Sequence, residues 1–310
     1  MNYIKKTPFP KNINPEQFAK LKSMGNISEI SLNSKVNHLP TIQPLSGENY
    51  VLLSTGEVKQ FENHADNRTD NIRNLQKTFR ELSDIINANV YPENVDNCRF
   101  ITLTYAENMN NPEQLYIDFS SFNKRFKRYI NKMGYKYEYI VVLEAQQRGA
   151  FHLHCIYIFD KKAPFIENKA LADLWGKGFV NIRSLNKNID NIGRYFTSYL
   201  TDIPVDEKLE LSPDVLGGDI KNLNGKRIVK GARLKMIPAG TRIYRCSRGI
   251  KKPEVSFMPY GEAIDLVKKQ GFTKVSEYAA EISDIDREFR TQFTKETFKK
   301  YINKERTIKK

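Results

Sequence analysis

The chain has 310 residues, enough for one large core or two modest ones, and its 40% hydrophobic and 28% charged side chains describe a soluble globular protein. No apolar stretch approaches the ~20 residues of a membrane helix, and the leading MNYIKKTPFPKNINPEQ lacks the apolar core of a signal peptide. Three widely spaced cysteines, Cys98, Cys155 and Cys246, argue against a disulfide framework or a thiolate zinc site, so a reducing cytoplasm is expected. The net charge of +14 is uneven: residues 1–98 are neutral, whereas 99–202 carry +5 and 203–310 carry +9.

Along the chain, the first forty-odd residues are rich in Asn, Ser and Pro with little periodicity, and are expected to be partly irregular. Tyr50–Ser54 and Glu57–Phe61 flank Thr55-Gly56 and read as a hairpin. Asp70–Val90 reads as a helix, with Ile72, Leu75, Phe79, Leu82 and Ile86 at spacings of three and four. Arg99–Tyr105 is a strand, and Leu115–Asn131 an amphipathic helix with Leu115, Phe119, Phe122, Phe126 and Tyr129 on one face. Strands at Tyr137–Ala145 and Phe151–Asp160, a helix at Pro164–Trp175, a strand at Phe179–Ser184 and a helix at Ile189–Leu200 follow.

The order β-α-β-β-α-β predicts an α+β fold of the split, ferredoxin-like kind: an antiparallel sheet with helices on one face and the first and third strands at its centre. Beyond Asp202, the pieces RLKMI and TRIYRCS read as strands or loops, Gly261–Gln270 as a helix, and the tail from Asp284 as helical, ending in the basic run Lys295–Lys310. The expected division is an N-terminal extension (1–70), a core (71–202, with a leading helix 71–90) and a basic C-terminal region (203–310).

The segment Glu144–His154, EAQQRGAFHLH, carries the strongest chemical signal. In a strand, alternate residues share a face, so His152 and His154 project together. Pairing the preceding strand antiparallel through Gln146–Ala150 brings Glu144 opposite His152. Two imidazoles and a carboxylate then converge with part of a coordination sphere open, as a catalytic divalent ion requires. Strand histidines are commonly structural, but only four histidines occur here, and two form this pair; His38 and His64 lie apart.

A second candidate is Tyr195-Phe-Thr-Ser-Tyr199, two tyrosines one helical turn apart. Among sixteen tyrosines such spacing arises by chance; its position, on the helix after the last strand of the histidine-bearing sheet, gives it weight. The third is Lys221–Lys252, which holds eleven Lys or Arg and no acid. Solvated faces mix both signs, so this stretch is a polyanion-binding candidate, and its Gly and Pro interruptions favour nucleic acid over a membrane surface.

Together these blocks resemble the HUH superfamily of nicking and strand-transfer enzymes, in particular rolling-circle replication initiators of plasmids and filamentous-phage-like elements. RFITLTY (99–105) is similar to the first initiator motif, EAQQRGAFHLH (144–154) to the His-hydrophobic-His motif with its lead-in, and GRYFTSYL (193–200) to the tyrosine motif. YRCSRGIKKP (244–253) is similar to a Ser-Arg-Gly…Lys-Pro segment that follows. The resemblance implies an origin-nicking endonuclease with Tyr195, Tyr199 or both as nucleophile. It also implies a metal site of Glu144, His152 and His154, for which Mg²⁺ or Mn²⁺ suits hard phosphate oxygens and a mixed N/O donor set.

The expected substrate is single-stranded or hairpin origin DNA, with host helicase and polymerase as partners. DNA would be held by Arg148 and Arg194 and, in the basic stretch, by Lys226, Arg227, Lys230, Arg233, Lys235, Arg242, Arg245, Arg248, Lys251 and Lys252. The chain departs from the family where a Lys commonly stands three residues after a tyrosine: Ser198 and Asp202 are there instead, so Arg194 or Lys187 would have to replace it. Alternatives are a relaxase or transposase of the same chemistry and a non-catalytic nucleic-acid-binding protein. No GxxxxGK[ST] phosphate loop is present to supply a helicase.

Overall fold

The apolar runs between residues 98 and 184 pair as one antiparallel sheet, and that pairing decides where the candidate side chains stand. The computed structural model describes residues 2–35, 42–45, 49–60, 72–146, 150–185, 191–201, 203–204, 220–223, 226–229, 237–284 and 289–301. In chain order come β1 (Asn2–Thr7), β2 (Phe18–Met24), β3 (Ile27–Asn33), β4 (Ile42–Pro44), β5 (Asn49–Leu52), β6 (Val58–Gln60) and α1 (Ile72–Asn89). Next are β7 (Cys98–Tyr105), α2 (Pro112–Lys132), β8 (Tyr137–Ala145), β9 (Phe151–Phe159), α3 (Asn168–Trp175), β10 (Gly178–Ser184) and α4 (Ile192–Thr201). The rest are β11 (Ile203–Pro204), β12 (Ile220–Leu223), β13 (Lys226–Val229), β14 (Tyr244–Cys246), β15 (Glu254–Pro259), α5 (Tyr260–Lys269), β16 (Thr273–Asp284) and β17 (Phe289–Lys299). No helix among the described residues is long and apolar enough to cross a membrane.

The fold is mixed α+β, dominated by antiparallel sheets, and divides into two compact units. Residues 65–252 form one, built on a five-stranded sheet in the order β10-β7-β9-β8-β14. Strand β7 lies beside the histidine strand β9, as expected from the element order. Strand β14, from the basic stretch, pairs with β8 and extends this sheet at its edge.

Helices cover both faces of this sheet, which corrects the expectation of one face. In β9 every residue but Ile158 is buried, so each face needs its own apolar layer. Phe151, Leu153, Cys155, Tyr157 and Phe159 meet α2 and α3: Phe126 packs on Tyr157 with ring centroids 4.8 Å apart, and Trp175 on Tyr105 at 5.0 Å. Helix α2 starts at Pro112 with Asn111 accepting the N–H groups of Glu113 and Gln114, and it buries Leu115, Phe119, Phe122, Phe126 and Ile130. Each such large apolar side chain contributes roughly 1.5–3 kcal/mol on burial.

The opposite face, bearing His152 and His154, is covered by α4, whose Phe196 meets Phe100 at 5.2 Å. Helix α1 in turn packs on α4. Asn87 Oδ1 accepts the Gly193 N–H at 2.9 Å, and a Cβ at Gly193 would stand 2.2 Å from the Ser83 carbonyl oxygen. Only glycine permits that approach.

Residues 1–64 and 253–310 form the second unit, around a six-stranded sheet in the order β1-β16-β17-β3-β2-β15. Helix α5 packs Ala263 and Val267 against Ala19, Leu21, Ile30, Leu32 and Phe298. Two expectations are corrected here. The first forty residues include three strands, because Ala19, Leu21, Ile30 and Leu32 alternate with polar residues. The tail after 284 forms strand β17, not a helix. Phe289 and Phe293 are four apart, and four is a multiple of the strand period as well as near the helical one, while three interspersed threonines favour a strand. The hairpin expected at 50–61 forms from β5 and β6, with β4 added.

Candidate active site

Strands β8 and β9 pair with Glu144 opposite His152 and Val142 opposite His154, and β7 places Thr102 opposite His154. The pairing of Glu144 with His152 is the one expected from the short connection and the alternation. All three side chains are buried. Glu144 is 1% exposed, His154 2% and His152 8%, so His152 is the most open side of the cluster.

Both imidazoles meet the same carboxylate oxygen. His152 Nε2 lies 2.5 Å from Glu144 Oε2, and His154 Nε2 also contacts Oε2. Burial pushes the Glu144 carboxyl up, but the hydrogen bonds and positive charge of the two histidines outweigh it and hold the pKa down to about 2. Glu144 is therefore ionised wherever the protein works.

The other ring nitrogens are engaged too. His154 Nδ1 is 3.1 Å from Thr102 Oγ1, and His152 Nδ1 is 3.1 Å from Gln146 Nε2. As oriented, Gln146 donates to Nδ1 and puts the His152 proton on Nε2, facing Glu144. Ligation through Nε2 needs the opposite tautomer, and a half-turn of the amide supplies the matching acceptor. Phe100 stacks on His154 with centroids 5.2 Å apart and planes 11° from parallel, while Phe196 meets the same ring edge-on at 6.3 Å.

This donor set fits a divalent cation. Two imidazole nitrogens and a carboxylate oxygen lie within 4.8 Å of one another, and each imidazole is steered by a partner on its far nitrogen. Thr102, Gln146, Phe100 and Phe196 were not singled out from the sequence. Gln146 was within reach, because it continues the two-residue period of Glu144.

The other candidates are placed unevenly. Tyr195 and Tyr199 lie on α4, the helix that Phe196 seats over the histidine face; their side chains lie outside the described residues. Arg194 is exposed on the same helix, its N–H donated to Asn191 Oδ1 at 2.8 Å. Arg148, Lys187, Lys230, Arg233 and Lys235 lie outside the described residues, as do the side chains of Lys226 and Arg227 on β13.

Arg242, Arg245, Arg248, Lys251 and Lys252 are exposed. Arg245 pairs with Val141, so it stands on the α2 face, away from the histidines, with its guanidinium 3.7 Å from the centroid of the Tyr116 ring. Tyr244, opposite Val142, shares the histidine face. Asn89 of α1 clasps Lys251 by both backbone groups, accepting its N–H at 2.9 Å and donating to its carbonyl at 2.8 Å.

Sheet and cluster together define an α+β domain with a buried Glu-His-His group that can hold a metal ion. Residues 98–203 match the family of replication-associated proteins that includes ORF2. The match runs from the start of β7 to the start of β11 and so contains the whole cluster and α4. No curated protein and no solved structure matches the chain.

Proposed function

We propose that residues 65–252 form a nicking and strand-transfer nuclease of the HUH type that starts rolling-circle replication, in the manner of plasmid and phage initiators. One observation carries the reading: the Glu144–His152–His154 cluster lies on the sheet face covered by α4, the helix that bears Tyr195 and Tyr199. The strand order β10-β7-β9-β8 within the β-α-β-β-α-β segment supports a ferredoxin-like core. The family match over the same segment supports a role in replication.

In this reading, Glu144, His152 and His154 hold Mg²⁺ or Mn²⁺, which supplies Lewis-acid stabilisation of charge on a phosphate oxygen. The chain's own groups do the rest. A phenol with an ordinary pKa near ~10 is a weak nucleophile at neutral pH, so Tyr195 or Tyr199 needs placement beside an activated phosphate. Its Oη bonds to phosphorus, the bond to the 3′ oxygen breaks, and that oxygen leaves as a hydroxyl while the phenolic proton passes to water. The product is a 5′-phosphotyrosine and a free 3′-hydroxyl that a polymerase can extend.

Attack by a 3′-hydroxyl reverses the step and reseals DNA without a nucleotide cofactor. A helix-borne tyrosine cannot reach a phosphate within a straight duplex, so the cleaved site is single-stranded or extruded. Exposed Arg194, Arg242, Arg248, Lys251 and Lys252 would hold flanking phosphates.

The test is covalent-adduct formation. The protein is incubated with Mn²⁺ and a pool of single-stranded oligonucleotides, beside Tyr195→Phe, Tyr199→Phe and the double variant, then denatured and resolved by size. A metal-dependent adduct lost in one single variant names the nucleophile, and loss only in the double variant shows that both act. An adduct that survives the double variant, or one independent of metal, overturns the proposal.

A further inference from the structure

The unit formed by residues 1–64 and 253–310 carries a row of side chains that the nuclease chemistry does not use. Register places Phe257 of β15 opposite Lys20 of β2, and Lys20 opposite Ser31 of β3. Ser31 stands opposite Lys295 of β17, and Lys295 opposite Tyr278 of β16. Opposite residues of antiparallel strands share a face, so aromatic, lysine, serine, lysine and aromatic follow one another in a line across five strands. At ~4.8 Å between strands, the line is ~19 Å long.

Helix α5 covers the other face of this sheet; the row stands on the open one. Phe257 is 68% exposed and Tyr278 36%, while Phe18, beside Lys20 on the same face of β2, is 70% exposed. Two residues along the strands, Lys22 faces Glu29. Glu29 bridges Lys22 at 2.9 Å and Lys295 at 3.0 Å, which holds two ammonium groups in place with one carboxylate and leaves the trio positive.

Exposed rings separated by lysines suit one kind of occupant. An apolar protein partner would have to bury Lys20 and Lys295 between the rings without counter-charges. A duplex keeps its base faces stacked inside and offers the rings nothing. A single strand satisfies both groups: unpaired bases stack on the rings and phosphates meet the ammonium groups, as on sheet surfaces that stack two or three bases of single-stranded nucleic acid.

We propose that this open sheet face is a single-stranded DNA-binding surface, separate from the cleavage site, in which Phe257 and Tyr278 stack bases and Lys20 and Lys295 contact phosphates. The choice of DNA as the strand rests on the function proposed for residues 65–252; the stacking surface does not.

The experiment measures binding of fluorescent oligothymidine to the full chain in EDTA, in a Tyr195→Phe/Tyr199→Phe background so that no cleavage intervenes. Adding Phe257→Ala or Tyr278→Ala should weaken binding about fivefold or more each, the range found for loss of one base-stacking ring. Lys20→Gln should lower the slope of log affinity against log salt by about 0.7, the value for one phosphate neutralised on a single strand. Phe257→Trp, which keeps a stacking ring, should retain affinity, and circular dichroism of each variant confirms that the fold is kept. Unchanged affinity in folded Phe257→Ala and Tyr278→Ala overturns the proposal, even where wild-type protein forms its adduct. Tighter binding of oligouridine, with the same dependence on both rings, overturns the choice of DNA. If no adduct forms but oligothymidine binding still depends on the rings, the nuclease reading fails and this surface stands.

Discussion

Phe196 stands edge-on to His154, with ring centroids 6.3 Å apart and planes 85° from parallel. One aromatic side chain of α4 thus locks the tyrosine-bearing helix to a candidate metal ligand, so anything that lifts α4 from the sheet separates nucleophile from phosphate.

Gly193→Ala tests that coupling. Its methyl group would press on the Ser83 backbone of α1, which cannot yield as a flexible side chain would. A loss of about 1–3 kcal/mol in stability is expected from overpacking. Adduct formation should fall by about 100-fold, because ångström-scale misplacement costs that much. Urea unfolding and single-turnover adduct yield measure the two; full activity would mean that the seat of α4 is unimportant.

Thr102→Val removes the partner of His154 Nδ1 while keeping shape and burial. Loss of such a supporting hydrogen bond typically weakens metal affinity or activity about 10–100-fold. Titration calorimetry with Mn²⁺ should show this drop with little change in melting temperature, and equal affinity would rule out tautomer control by Thr102.

His152→Ala should abolish cleavage while leaving most DNA affinity, because the cluster acts on the phosphate and the exposed cations supply binding. Gel-shift and adduct assays on the same preparation separate these effects. Parallel loss of both would place the DNA against the cluster itself.

Glu144 makes a pH-dependent contribution to folding in metal-free protein. Its carboxyl is held down to about 2 in the folded chain against an ordinary 4.5, so the stabilisation is complete above 4.5 and is lost as pH falls through about 2. Wild-type stability in EDTA should therefore fall more steeply than that of Glu144→Gln between about pH 5 and 2. Identical slopes in urea unfolding would show that the carboxylate is not held by the histidines.

Neutralising Arg242, Arg245 and Arg248 together should weaken DNA binding and flatten its salt dependence, by about 0.7 in slope for each single-strand phosphate left without its cation. Arg245→Gln alone should leave the slope unchanged, because Arg245 lies over Tyr116 on the far face of the sheet. A slope that falls with Arg245→Gln would route the DNA over the α2 side.

The candidate cluster was legible because it is local. Glu144, His152 and His154 lie within eleven residues, strand alternation aligns the two histidines, and a short connection sets the register opposite Glu144. The β-α-β-β-α-β order and the neighbouring places of β7 and β9 were legible for the same reason, since each element announces itself by its own period. Two-sided burial was written in the continuous apolar run FHLHCIYIF, yet which helices supply the second layer was not. Phe196 and Phe100 meet across 96 residues, and no local pattern marks them as partners for His154.

Only the tertiary structure joined β14 to the core sheet, and joined residues 2–33 to 254–299 in a second one. The pairing of distant strands depends on complementary edges and shared burial rather than on the spacing of neighbours, so the sequence holds its parts without their order. The spacing of four in the tail fits a helix and a strand alike, and the β3 and β16 neighbours of β17 decided between them.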